Sequence, residues 1–253
     1  MEPGAITQYV DLAQLVLYLF WIFFAGLIYY LVRENHREGY PMDTGQTHGP
    51  RVEGWPPTPE PKAYKHVGGA DTYSPDPHRP DASYDAQVAH PWSGAPVEPV
   101  GNPLLSGVGP GAWSQRADVP DMTHHGAVKI VPLRVAPDHS VSNHDVDPRG
   151  KPVFGADARV AGHVVDLWVD RAEMMFRYLE LQLPDGSHRL LPMPFARVKP
   201  DGVHVQALLS EQFVHMPSTR SPEQVTFLEE EKISACYGAG TLYATPQRQE
   251  PLL

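Results

Sequence analysis

LAQLVLYLFWIFFAGLIYYLV, residues 12–32, contains no charged side chain. As a helix these 21 residues span about 31 Å, the thickness of a bilayer hydrocarbon core. Gln14, near one end, is the only strongly polar member. Tyr18, Trp21, Tyr29 and Tyr30 suit the interfaces, where a ring can keep its body in lipid and its polar atom in water. A cleaved signal would carry basic residues ahead of its apolar run. Met1–Asp11 has no Lys or Arg, carries Glu2 and Asp11, and no small-x-small cleavage site follows the run. The run therefore reads as a single transmembrane helix. Arg33 and Arg37, with His36 when protonated, lie just after it. The positive-inside rule then expects residues 1–11 on the periplasmic side and residues 33–253 in the cytoplasm. Ala25-Gly26 leaves room for another helix backbone to approach, although a plain lipid-facing anchor has the same composition.

The rest of the chain is different in kind. Of 253 residues, Lys and Arg number 20 against 30 Asp and Glu, a formal net charge of −10. An acidic balance without a basic block speaks against nucleic acid as a partner. The single cysteine excludes a disulfide scaffold and any multi-cysteine metal or iron–sulfur site. There is no HExxH, no GxSxG and no glycine-rich phosphate loop. Residues 41–110 hold 14 of the 28 prolines, which lack the donor that a helix or central strand needs. Trp55, Tyr64, Tyr73, Tyr84 and Trp92 make this stretch too apolar for an ordinary linker. Residues 33–110 are expected to be an extended wrap laid over a partner's surface.

From about residue 130 the pattern changes to strands. Val165, Leu167 and Val169 alternate with Asp166 and Trp168, and Leu179, Leu181 and Leu183 alternate with Tyr178, Glu180 and Gln182. Asp185-Gly186 and Asp201-Gly202 are hairpin turns between alternating runs. The meander predicts a small antiparallel barrel within a cytoplasmic domain of residues 111–253. Ser221-Pro222-Glu223 reads as the start of a helix over Pro222–Tyr237 that ends at Gly238 or Gly240. The fold class is thus one transmembrane helix, a mainly-β cytoplasmic domain and a C-terminal helix.

Nine strings carry a resemblance. They are FWIFFAGLIYYL (20–31), ENHREGYP (34–41), VGPGAW (108–113), KIVPLRVA (129–136), DPRGKPVFGAD (147–157), VVDLWVDRAE (164–173), RYLEL (177–181), RLLPM (189–193) and LEEEKI (228–233). In this order, behind one N-terminal helix, they resemble the H subunit of the purple-bacterial photosynthetic reaction centre. The resemblance implies that the meander is a PRC-barrel. It implies a subunit that binds no pigment and caps the cytoplasmic face of the L and M subunits. There it shields the quinone sites and helps conduct protons to the secondary quinone. Bacteriochlorophyll, bacteriopheophytin, quinones, non-haem iron and carotenoid would then sit in L and M. Light-harvesting 1 polypeptides, a cytochrome subunit and phospholipid would be further partners, in the bacterial inner or intracytoplasmic membrane. The competing reading is a membrane-tethered PRC-barrel adaptor of another cytoplasmic complex.

The candidate site residues divide into three groups. Asp170, Glu173 and Arg177 lie at a strand junction, where charges ordinarily are solvated turn residues. The resemblance places the matching acids on a proton path toward the secondary quinone, with the Arg as charge partner. Glu230 lies in a Glu229–Glu231 run that reads by itself as a solvated helix face, and it matches another acid of that path. Asp121, His124 and His125 could collect protons or hold a surface metal. The family pattern there is an acid with two His separated by one residue. His125 fits the first, Ala127 stands where the second would be, Thr123 replaces an acid, and His124 is the available substitute. Tyr30, Arg33 and Arg37 at the membrane exit could meet an acidic phospholipid, or simply anchor the helix.

Overall fold

The structure, a computed structural model, describes residues 11–40, 54–76, 85–92 and 95–249. Expectations for residues 1–10, for Tyr84 and for the wrap at 41–53, 77–84 and 93–94 lie outside the described residues. The described residues fall into two compact units, one from Met1–Asp81 with His90–Pro96, the other from Ala82–Ala89 with Val97–Leu253.

In the first unit the apolar run forms α1 (Leu12–Asn35). The Asp11 side chain caps its start by accepting from the Gln14 backbone N–H, and Gln14 Nε2 donates to Tyr18 Oη at 2.9 Å. The one polar side chain of the run is therefore satisfied locally. No α1 residue is buried, although almost all are apolar, and the helix is a candidate membrane span. Strands β1 (Lys62–Tyr64) and β2 (Thr72–Ser74) form a short antiparallel hairpin. In the second unit β3 (Ala86–Val88) and β4 (Val97–Pro99) form another. The proline-rich stretch thus carries two small hairpins, each three residues to a strand, where prolines leave just enough donors for a ladder.

The main sheet comprises β5 (Ile130–Pro132), β6 (Pro152–Phe154), β7 (Val160–Asp170), β8 (Met175–Gln182), β9 (His188–Pro192), β10 (Ala196–Lys199) and β11 (Gly202–Val205). Its order is β10-β11-β6-β7-β8-β9, with β5 also on β7. Asp185-Gly186 joins β8 to β9 and Asp201-Gly202 joins β10 to β11, as the turn chemistry predicts. One pairing is not antiparallel: β11 runs parallel to β6. The chain passes from β9 through a 3-10 turn at Met193–Phe195 into β10 without pairing the two strands, so the next hairpin returns β11 in the direction of β6.

The alternation in β7 does not divide inside from outside. Val165 is exposed, whereas Asp166, Leu167, Trp168, Val169 and Asp170 are all buried. Register shifts at Val164/Asp166 and at Trp168/Val169 break the two-residue period. The second half of β7 is also covered on both faces. Leu179, Leu181, Leu191, Val203 and Val205 fill the core with Trp168 and Phe213.

The C-terminal helix α2 spans Phe227–Tyr243, not Pro222–Tyr237. Its cap is Thr226. The Thr226 hydroxyl accepts from the Glu229 N–H, and the Glu229 carboxylate accepts from the Thr226 N–H. This reciprocal box satisfies two orphan donors, one more than Ser221 could, and so sets the helix start. Gly238 and Gly240 lie inside the helix and do not end it. A Cβ at Gly240 would lie 2.4 Å from the Ala207 carbonyl oxygen, and one at Gly238 would lie 2.5 Å from that of Pro110. These glycines allow close approach to neighbouring backbone. Tyr237 packs beside Phe195 and edge-on to Phe213, with ring centroids 5.5 and 6.2 Å away.

Candidate functional site

β7 ends at Asp170 because that side chain starts the turn into β8. Its Oδ1 accepts from the N–H groups of Ala172 and Glu173 at 2.9 and 3.0 Å. Met174 closes the turn with a left-handed φ of 56°, a conformation that costs a non-glycine residue about 1 kcal/mol. Asp170 is completely buried. A lone buried carboxylate would be costly, and the compensating cation is Lys129. Lys129 directly precedes β5, whose Ile130 pairs with Asp170 across the ladder. The Lys129 ammonium lies 3.0 Å from Glu173 Oε1, 3.4 Å from Asp170 Oδ2 and 3.4 Å from Asp121 Oδ2. The Glu173 hydrogen bond, with Asp170 and Asp121 beside it, holds this ammonium well above the usual lysine range despite partial burial. Arg177 stands 4.0 Å from the other Glu173 oxygen. Three of the acids singled out in the sequence thus converge on one ammonium, with Arg177 at the edge.

Glu230 joins this neighbourhood from α2. Its Oε2 accepts from Tyr178 Oη of β8 at 2.7 Å. Burial raises the Glu230 carboxyl above its ordinary range, outweighing the Tyr178 bond and the charges of Arg177 and Arg116. The Glu229–Glu231 run is not the solvated face that its composition suggests. Glu229 caps α2, Glu230 bonds Tyr178, and Glu231 accepts from the Ser114 N–H at 3.3 Å and faces Arg116 at 3.6 Å.

His124 and His125 are exposed at the tip of a small loop closed by the Met122–Val128 bridge. Asp121 turns away from them, toward Lys129 and the Met122 N–H. Among the described residues no group of three or more His, Cys, Asp or Glu side chains could hold a metal ion. The structure therefore does not assemble Asp121, His124 and His125 into a ligand set.

Toward the C-terminal end of α1 Tyr30 and Arg33 are exposed. Arg37 is not free to meet a head group. Its guanidinium makes a two-pronged pair with Glu34 at 2.8 and 2.9 Å and donates to the Ser74 carbonyl at 3.1 Å. His36 is buried and stacks on Tyr40, with ring centroids 3.9 Å apart.

Two features escape sequence reasoning. Lys129 stands inside a quoted string, but its three partners lie 8 to 44 residues away and no periodicity links them. A second polar network gathers around Asp166 and Trp168 of β7. Arg134 donates to Asp166 at 3.1 Å and to Glu180 at 2.6 Å, and Trp168 Nε1 donates to the same Glu180 oxygen at 2.9 Å. His188 Nδ1 meets the other Glu180 oxygen at 2.6 Å. Burial would raise the Glu180 carboxyl, but these bonds together hold it below its usual range. Arg134 also caps the Pro222 carbonyl, tying the segment before α2 to the sheet.

A PRC-barrel domain model matches residues 142–212, which take in β6 to β11. That class of fold suits a tethered adaptor as well as a larger assembly, and a second match separates them. A model of the photosynthetic reaction centre, H-chain N-terminal region, matches residues 4–135. That is more than half of the chain, and the chain belongs to the reaction-centre H-chain family. It is a structural, membrane-associated subunit of a photosynthetic reaction centre and associates with the other subunits of that complex.

Proposed function

We propose that this subunit caps the cytoplasmic face of the L and M subunits, shields their quinone sites and conducts protons toward the secondary quinone. The observation that carries the proton role is the convergence of Asp121, Asp170 and Glu173 on the Lys129 ammonium, with Glu230 close by. A reducible quinone held by the partner subunits supplies an acceptor whose added negative charge must be met by protons. Glu230, whose carboxyl burial raises, is the member of this neighbourhood suited to keep a proton and pass it on. Lys129 tempers the repulsion among the other three acids and keeps them together. Glu173 is suited to exchange with solvent, since about half of its side chain is exposed, while Asp170 is sealed and holds the turn. His124 and His125, exposed beyond Asp121, are placed to collect protons from water.

The same reading puts residues 33–253 on the cytoplasmic side and the pigments, quinones, non-haem iron and carotenoid in L and M. It lays the proline-rich stretch across those subunits. Light-harvesting polypeptides and a cytochrome subunit would complete the complex. A phospholipid contact at the membrane exit would rest on Tyr30 and Arg33, because Arg37 is engaged within the protein.

The test is Glu173→Gln in assembled complexes, with electron transfer followed by flash spectroscopy. Proton-coupled transfer of the second electron to the secondary quinone should slow several-fold, while the first electron transfer stays unchanged. Unaltered second-electron kinetics would remove Glu173 from the path.

A further inference from the structure

Tyr178 is 4% exposed and lies on β8, yet its hydroxyl reaches Glu230 on α2 at 2.7 Å. Among the described residues this is the only hydrogen bond made to the Glu230 carboxyl. A buried phenol needs an acceptor, and a half-buried carboxylate gains from a donor. The other charged groups facing Glu230 are committed elsewhere. Arg177 of β8 is shared with Glu173, and Arg116 pairs with Glu231, the next residue of α2. Asp121, from the segment before β5, adds negative charge but turns to Lys129. Tyr178 is thus the group whose direction and charge state bear most directly on this carboxyl. Burial, with Glu230 beside it, pushes the phenol above its usual range, so it keeps its own proton and stays a donor.

We propose that Tyr178 is a positioning residue for Glu230: its hydroxyl fixes the carboxyl across the β8–α2 junction, stabilises the ionised form and so sets the pH at which Glu230 takes up and releases its proton. The role in proton delivery rests on the function proposed above; the pairing itself does not. The proton that moves belongs to Glu230. It leaves the carboxyl for the path and returns from solvent, and the Tyr178 O–H bond stays intact throughout.

Removing the hydroxyl takes away a donor that bonds the ionised carboxylate more strongly than the neutral acid. The carboxyl then holds its proton more tightly, and its titration moves up. A hydrogen bond to a charged group is strong enough to shift it by about one pH unit, a tenfold change in proton affinity.

The experiment compares assembled wild-type, Tyr178→Phe, Glu230→Gln and doubly substituted complexes. Infrared difference spectra assign to Glu230 the carboxyl C=O band that Glu230→Gln abolishes. In Tyr178→Phe the midpoint of that band should rise by about one pH unit. The pH profile of second-electron transfer should move in the same direction, with no further change when Tyr178→Phe is added to Glu230→Gln. An unmoved midpoint overturns the proposal, as does an equal profile change in the Glu230→Gln background. If Glu230→Gln leaves the kinetics untouched while the band still shifts, the pairing stands and it is the place of Glu230 in the path that fails. Should Tyr178→Phe not assemble, replacing Tyr178 by a fluorinated tyrosine, a stronger donor of the same shape, should lower the midpoint. A rise or no change in that variant also overturns the proposal.

Discussion

At Asp170 the two carboxylate oxygens serve different ends. Oδ1 holds the Ala172 and Glu173 N–H groups of the β7–β8 turn, and Oδ2 faces Lys129. The two uses can be separated by substitution. Asp170→Asn keeps a carbonyl oxygen for the turn but loses the charge and the acceptor that face Lys129. Asp170→Ala loses both and strands two N–H groups beside a left-handed Met174. Asn should cost about 1 kcal/mol and Ala about 3 kcal/mol of stability. Denaturant titration of the purified protein in detergent, followed by tryptophan fluorescence, checks this. Equal losses would show that the turn does not depend on the carboxylate.

At the scale of the element, α2 is defined by what it approaches. Its start is a capping box and its interior glycines admit the backbone of Pro110 and Ala207. Intrinsic propensity favours Ala over Gly in a helix interior by about 1 kcal/mol. At Gly240 that gain is opposed by a Cβ only 2.4 Å from a carbonyl oxygen, which demands a shift of the helix off the sheet. Gly240→Ala should therefore destabilise by about 2 kcal/mol net, as overpacking does in a dense core. Ser234→Ala, on the exposed side of the same helix, should be neutral or slightly stabilising. The same denaturant titration distinguishes them. A stabilised Gly240→Ala protein would mean that the approach to Ala207 is loose.

For the whole molecule the dominant feature is a helix of apolar residues with none buried. Exposed apolar area on this scale needs lipid or other helices around it. Its flanking charges give the expected orientation, with Arg33 and Arg37 on the cytoplasmic side. Protease added to sealed vesicles with the cytoplasmic face outward should digest nearly the whole chain and leave a fragment containing α1. In vesicles of the opposite orientation the chain should survive almost intact. Digestion in the second case alone would reverse the topology.

Local chemistry was enough for several features. An uninterrupted apolar run can only be a span or a core, and Asp-Gly between alternating runs forms a tight turn almost regardless of surroundings. Asp170 and Glu173 were legible as candidates through their string, and Asp121 through the histidine pair that follows it. Other features depended on distant parts of the chain. The parallel β11–β6 pair follows from where the chain turns without pairing. The start of α2 was set by Thr226 and Glu229 against a weaker local signal at Ser221. Lys129 and Tyr178 became visible only when β5, β7, β8 and α2 were brought together. Their partners are separated by up to 52 residues, and an ion pair or hydrogen bond at that range leaves no period or motif in the sequence. The sequence by itself determined the apolar N-terminal helix, the Asp-Gly hairpins and the acids. Only the tertiary structure decided which acids share a cation and which one sits half-buried against a phenol, because those energies depend on distance through space and on exclusion of water.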